Sequence, residues 1–149
     1  MQWYDGLFEL DADSAISADD WVQIFAVREA VSKQLEQVRT DGKIGAALTA
    51  EIDLYCGDAA SAALAKLDDE LRFVFITSAA RLHALADKSD EAVEVAADVF
   101  VAVRAANVDK KCTRCWHHVD DVGSHAEHPE LCGRCVSNVT GEGESRQYA

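Results

Sequence analysis

The sequence predicts an α+β fold: an α-β-α-β-β body with a small antiparallel sheet, followed by a four-cysteine ribbon. Three observations carry this reading. Apolar residues recur at helical spacing between Trp21 and Val38. They alternate with period two over 51–56 and 92–104. Four of the five cysteines fall into two C-x2-C pairs near the end of the chain.

Residues 1–16 hold Trp3, Tyr4, Leu7, Phe8, Leu10 and Ile16, too apolar for a solvated tail, so this segment is expected to pack and the chain reads as starting mid-domain. Ser17 is a helix N-cap, with Asp19 and Asp20 in the first turn. Trp21, Ile24, Phe25, Val31, Leu35 and Val38 form the buried stripe, and Asp41-Gly42 ends the helix. Ile52, Leu54 and Cys56 alternate along a strand, and Cys56 reads as a small buried hydrophobe. Gly57-Asp58 leads into a second helix striped by Leu64, Leu67, Leu71, Val74 and Phe75. Asp68-Asp69-Glu70 on that helix is a solvated face. Two strands follow, at about 80–86 and 92–104, with Val93, Val95, Ala97, Val99, Val101 and Val103 on one face of the second and Lys88-Ser-Asp90 turning a hairpin between them.

Composition narrows the function. Apolar residues are 49% of 149, enough for a real core, and charged residues are 28%. No apolar run approaches the ~18 residues that span a membrane. The opening MQWYDGLFELDAD is acidic and has no apolar signal-peptide core, so a cytoplasmic protein with no membrane partner is expected. Residues 1–109 carry 21 acidic and 9 basic residues, whereas residues 110–149 carry 6 and 5. The body therefore repels phosphate broadly, and the tail does not. This charge step near residue 110 divides the chain into a body, 1–109, and a cysteine unit, 110–149.

Cys112, Cys115, Cys132 and Cys135 form C-x2-C-x16-C-x2-C. Thiolates three residues apart on a tight knuckle point at one ion, and two knuckles complete a tetrahedron. One structural Zn2+ is expected, with iron as the other metal that four thiolates accept, and the unit reads as a zinc ribbon. Four sulfurs close the coordination shell, so the metal supplies folding energy to a unit of ~40 residues whose core is too small alone. His117, His118, His125 and His128 are read as surface residues or hydrogen-bonding neighbours of the ligands. Arg114 and Arg134 hold the same place in the two knuckles and either touch nucleic-acid phosphates or balance the thiolate charge. Trp116 is either the plug of the unit's small core or a platform for base stacking. No phosphate loop, dinucleotide fingerprint, H-E-x-x-H or deaminase signature is present, and no catalytic residue is assigned.

The segment KCTRCWHHVDDVG…HPELCGRCVSNVTGEGESRQYA resembles the C-terminal zinc finger of bacterial-type isoleucyl-tRNA synthetase. The likeness runs through C-x-R-C-W-H, Val122-Gly123, His128-Pro-Glu-Leu-Cys132 and G-R-C-V-S-N. Upstream, Arg39-Thr-Asp-Gly-Lys-Ile-Gly45 with Leu48 resembles a turn of that family's anticodon-binding region, with Ala47 where the family often has Ser. Glu70–Ser78 resembles the helix that follows, and Trp3-Tyr-Asp-Gly-Leu7 the junction before. The family's catalytic H-I-G-H and K-M-S-K-S signatures are absent. The resemblance implies a C-terminal fragment whose parent, a class I ligase, joins isoleucine to its tRNA with ATP. It implies that the piece helps hold that tRNA and contacts the remainder of the synthetase, and that the four cysteines ligate zinc.

Two other readings stand beside this one. The same finger type ends formamidopyrimidine-DNA glycosylases, which gives a zinc-stapled DNA-binding module. There, however, the finger follows a basic domain, and Trp116-His117 replaces the usual Gly. A structural scaffold that touches no nucleic acid fits the acidic body, and the long synthetase-like tail speaks against it.

Overall fold

The computed structural model describes residues 14–141 and 143–149. The apolar stretch from Trp3 to Leu10, expected to pack, lies outside the described residues, as does the junction-like Trp3–Leu7. Ser17 caps α1 (Ala18–Thr40). Its hydroxyl accepts from the Asp20 N–H, and the Asp20 carboxylate accepts from the Ser17 N–H at 2.8 Å. The helix ends at Asp41, and Gly42 takes the left-handed conformation that lets the chain leave. Ile24, Val27, Val31, Leu35 and Val38 are the buried stripe. Phe25 is not part of it: one residue on from Ile24 is about 100° round the helix, so Phe25 is 56% exposed and stacks on Trp21 instead.

β1 (Ala50–Cys56) is followed by α2 (Asp58–Ala65), a 3-10 turn, α3 (Leu71–Phe75) and β2 (Ala79–Ala84). The single helix expected here is broken at Asp68, whose φ of 44° interrupts the helical path, yet Leu64, Leu67, Leu71, Val74 and Phe75 are all buried. β3 (Val93–Ala96) and β4 (Val99–Ala105) complete a four-stranded sheet in the order β2-β1-β4-β3. The sheet is mixed, not antiparallel. β2 pairs parallel to β1, because the helices between them form a crossover that brings the chain back to the same end. β4 is antiparallel to both β1 and β3.

The expected hairpin at Lys88–Asp90 is also corrected. β2 and β3 lie at opposite edges, so residues 85–92 cross the end of the sheet, with Lys88 Nζ 4.8 Å from the Phe100 ring centroid. The hairpin lies instead between β3 and β4, where Asp98 adopts φ 56°. It splits the single strand expected over 92–104. Val95, Val99, Val101 and Val103 still face the core and Val93 pairs with Val101, but Ala97 falls in the turn, and Val93 is exposed at the sheet edge beside a register shift between Glu94 and Ala96.

Alternation on β1 sends Ile52, Leu54 and Cys56 to the helices, where they join Ile16, Ile24, Val31, Leu64, Leu67 and Val101 in one core. Full burial of such a side chain contributes about 1.5–3 kcal/mol. Burial also pushes the Cys56 thiol up to about 11, so it is an inert core residue as read. On the opposite face Asp53 is buried and held by Arg104 and by His83 Nε2 at 2.9 Å. No helix of the described residues is long and apolar enough to cross a membrane.

The cysteine unit contains one antiparallel bridge, Lys111 to His118, and α4 (Gly133–Thr140), which the sequence reading did not include. It has its own small core of Val122, Leu131 and three of the cysteines. Hydrogen bonds at three places tie it to the body, beside the packing of its side chains on Phe73. The fully buried Ser78 donates its hydroxyl to the Leu48 carbonyl at 2.6 Å and accepts the His118 N–H at 2.7 Å. His118 Nδ1 lies 2.9 Å from the Asn107 carbonyl. Beyond α4 the chain returns to the body, where the Glu70 carboxylate accepts the N–H groups of Gln147, Tyr148 and Ala149 at 2.6–2.7 Å. Glu70 therefore anchors the tail, in addition to belonging to an acidic face.

Ser78→Ala leaves a buried N–H and a carbonyl without partners, and urea unfolding should show a loss of about 2 kcal/mol. Glu70 gives a pH dependence. Burial opposes its ionised form, but the three tail N–H groups and Arg146 outweigh this and hold its carboxyl below the ordinary value. A lowered folded-state pKa stabilises above the unfolded-state value and loses that effect as pH falls through the folded one. The protection factors of the Tyr148 and Ala149 amides should therefore fall on acidification below the usual carboxylate range, and Glu70→Gln should lower them in the same way at neutral pH.

Candidate metal centre

Each cysteine pair is set by a local turn. In the first, the Trp116 N–H donates to the Cys112 carbonyl and the Cys112 N–H to the His117 carbonyl, both at 2.9 Å. The chain closes this loop through Trp116, which takes φ 67°. In the second, Cys132 is the N-cap of α4, and its N–H lies 3.4 Å from Cys112 Sγ. The Thr113 N–H donates to the Glu130 carbonyl and ties the two turns together.

The result is one cluster in which the four sulfurs of Cys112, Cys115, Cys132 and Cys135 lie within 4.8 Å of one another. Cys115 Sγ and Cys132 Sγ are 3.7 Å apart. A zinc ion with sulfurs at about 2.3 Å demands tetrahedral edges of about 3.8 Å, so the donor set suits one structural zinc ion. The histidines stand outside this group: His118 is spent on the seam with the body, and His117 Nδ1 lies 3.3 Å from the Cys115 carbonyl.

The protonation chemistry agrees with a cation site. Burial opposes a thiolate at Cys112, but the N–H groups of Cys115, Cys132 and Arg114 outweigh it and bring that thiol down to about 6. Burial, with the nearby Cys115 sulfur adding to it, pushes Cys132 up to about 12. The Cys112 thiolate forms readily while those of Cys132 and Cys135 resist, so filling the site with a divalent metal must release protons.

The two knuckle arginines differ in their surroundings. Arg114 places Nη1 3.6 Å from Cys135 Sγ, where its charge offsets the thiolates. Arg134 turns inward, pairs with Glu144 at 3.0 Å and lies over the Phe73 ring. Trp116 is not a core plug. It is 59% exposed, and Lys111 Nζ sits 5.0 Å from its ring centroid.

Sequence reasoning missed Lys111, Arg72 and Arg146. Arg72 and Arg146 join Arg134 around Phe73, with guanidinium carbons 5.0, 3.9 and 5.0 Å from the ring centroid respectively. Residues 72 and 146 are far apart in the chain, and only the return of the tail to Glu70 brings them together. Burial, followed by the charge of Arg134, disfavours protonation of His117, whose ring meets Phe73 edge-on.

Residues 109–138 match the family described as "Zinc finger found in FPG and IleRS". The whole chain is similar to isoleucine–tRNA ligases. It is 53% identical over 150 residues to that of Alkalilimnicola ehrlichii, 52% over 149 to that of Pseudomonas paraeruginosa and 49% over 148 to that of Vibrio atlanticus. In each case 99% of this chain is covered, and the chain spans 16% of the relative's length. Along nearly its full length, then, this chain is a homologue of the zinc-finger-bearing C-terminal region of isoleucine–tRNA ligase.

Proposed function

We propose that the chain serves as the tRNA-contacting C-terminal region of a cytoplasmic isoleucine–tRNA ligase, with Cys112, Cys115, Cys132 and Cys135 holding one zinc ion. Isoleucine activation and transfer belong to the remainder of the parent enzyme, which this region also contacts. The observation that carries the reading is Trp116. A large indole held in the left-handed region, next to a metal ligand and mostly exposed, stabilises no core. Lys111 lies against one of its faces, and Arg114 lies two residues away. An exposed ring flanked by cations suits an unpaired base stacked on the indole, with phosphates nearby. Arg134 takes part from the inner side of the finger. The acidic body confines this contact to the finger and the seam, which also weighs against binding a DNA duplex.

The body, 1–109, and the finger, 110–149, act as two folding units, the second dependent on the metal. Native mass spectrometry should find one zinc per chain, lost in Cys132→Ser. A strong chelator should abolish amide protection over 110–149 and leave the sheet of the body protected. Simultaneous loss of both would make the metal the support of a single cooperative unit.

Binding is tested with the zinc-loaded chain, isoleucine tRNA and a non-cognate tRNA over a range of salt. Trp116→Ala should weaken binding about tenfold with an unchanged salt slope, as loss of one stacked base does. Arg114→Ala should flatten the slope by about one. Zinc-loaded chain that binds neither tRNA would refute an autonomous contact.

A further inference from the structure

Between α1 and the edge strand β3 runs a groove made of two adjoining hollows that share Ala26. One, of about 530 Å3, is bounded by Ala30 and Gln37 of α1 and by Glu94 and Val95 of β3. The other, of about 300 Å3, continues past Gln23 to Asp58 at the start of α2 and to the turn at Asp98. The Gly57 N–H donates to the Asp98 carbonyl at 2.8 Å and fixes that end. From Gln23 to Gln37 the helix rises about 21 Å, the length of about six extended residues.

Two properties of the groove define what fits it. First, β3 has a strand on one side only, β4, so the backbone groups along its outer side have no strand partner. Val95 packs against the core, and Val93 is exposed at the same edge. Second, the lining is acidic. Glu29 is paired with Lys33, but Glu94 in one hollow and Asp58 and Asp98 in the other have no ion-pair partner among the described residues.

We infer that the groove receives an extended, basic segment from the remainder of the parent ligase, added beside β3 as a fifth strand. The inference rests on the reading of the chain as a region of that ligase, and it places a docking site on the body. A segment in this position completes the outer backbone bonds of β3. Its side chains alternate, so every second one enters the hollows over Ala26 and Ala30. Lysine or arginine on it meets Glu94, Asp58 and Asp98. RNA does not fit, since its phosphates would face the same carboxylates. A second copy paired edge to edge would set these carboxylates against their own likes. The source follows from the size of the strand. β3 has four residues, and the register shift between Glu94 and Ala96 breaks its ladder, so the backbone offers few bonds. Such a contact is weak between separate molecules and stable when one polypeptide supplies both sides at high effective concentration. The chain spans 16% of the relatives' length, which leaves ample sequence to supply the segment.

The test compares amide exchange in this chain alone and in the full-length ligase that carries it. Protection of residues 93–96 should rise about tenfold in the full-length enzyme and fall back at high salt. Ala30→Arg fills a hollow and repels a basic segment, and Glu94→Lys reverses charge on the exposed strand. Each should abolish the gain while β1 stays protected. A photo-crosslinker at residue 30 should join one ligase segment outside this chain, with basic and apolar residues alternating. Equal protection in both forms overturns the inference, as does a crosslink to tRNA, to a second copy or to an acidic segment. Isoleucine tRNA bound by the zinc-loaded chain with no gain at β3 would remove the docking site and spare the tRNA-contacting reading. A gain at β3 without tRNA binding would do the reverse.

Discussion

Everything in the finger follows from packing four sulfurs within 4.8 Å in a unit with almost no core of its own. Four thiolates so close repel one another, and burial opposes those of Cys112, Cys132 and Cys135. A zinc ion removes that conflict but leaves a net charge of −2 on the centre. The unit meets this with directed cations and backbone N–H groups: Arg114 reaches Cys135, and the Cys132 N–H reaches Cys112. Arg114 thus answers to the metal site, whereas Arg134, in the same place of the second knuckle, answers to Glu144 and Phe73.

The second constraint is the seam. A finger joined to the body at one point would swing about residues 107–111. Ser78, His118 and Glu70 fix it from two directions, since the chain enters at the Ser78 side and its tail comes back to Glu70. These bonds are short-range and directional, so the finger has one orientation relative to the sheet. That orientation gathers Arg72, Arg134 and Arg146 around Phe73.

How much of this was legible in the sequence depends on the range of the interaction. The capping box at Ser17, the buried stripe of α1, the alternation on β1 and the cysteine pairs are local, and each was readable from spacing. The parallel pairing of β2 with β1 was implied by a helical connection of some twenty residues, yet the short strands invited a hairpin reading. The break at Asp68 and the turn at Asp98 depend on positive φ at aspartates, which composition does not announce. Phe25 looked like core because apolar residues on neighbouring helical positions cannot all be buried, and sequence does not say which one yields. The second roles of Ser78 and Glu70 were invisible, since their partners lie 30 to 79 residues away.

Trp116 shows why a small metal unit frees a residue for contact. In a fold held by apolar packing, an indole next to the centre would be drawn inward, because burying it contributes more than most other choices. Here the metal supplies the cohesion, and Val122 and Leu131 fill the little space that remains. The knuckle must also turn sharply after Cys115 so that the Cys112 N–H can reach the His117 carbonyl, and that turn places residue 116 in the left-handed region with its side chain outward. Glycine would make the same turn with less strain. A tryptophan at this position adds strain to the fold and contributes little burial, so it is held by the turn and by Lys111 against its ring rather than by the core.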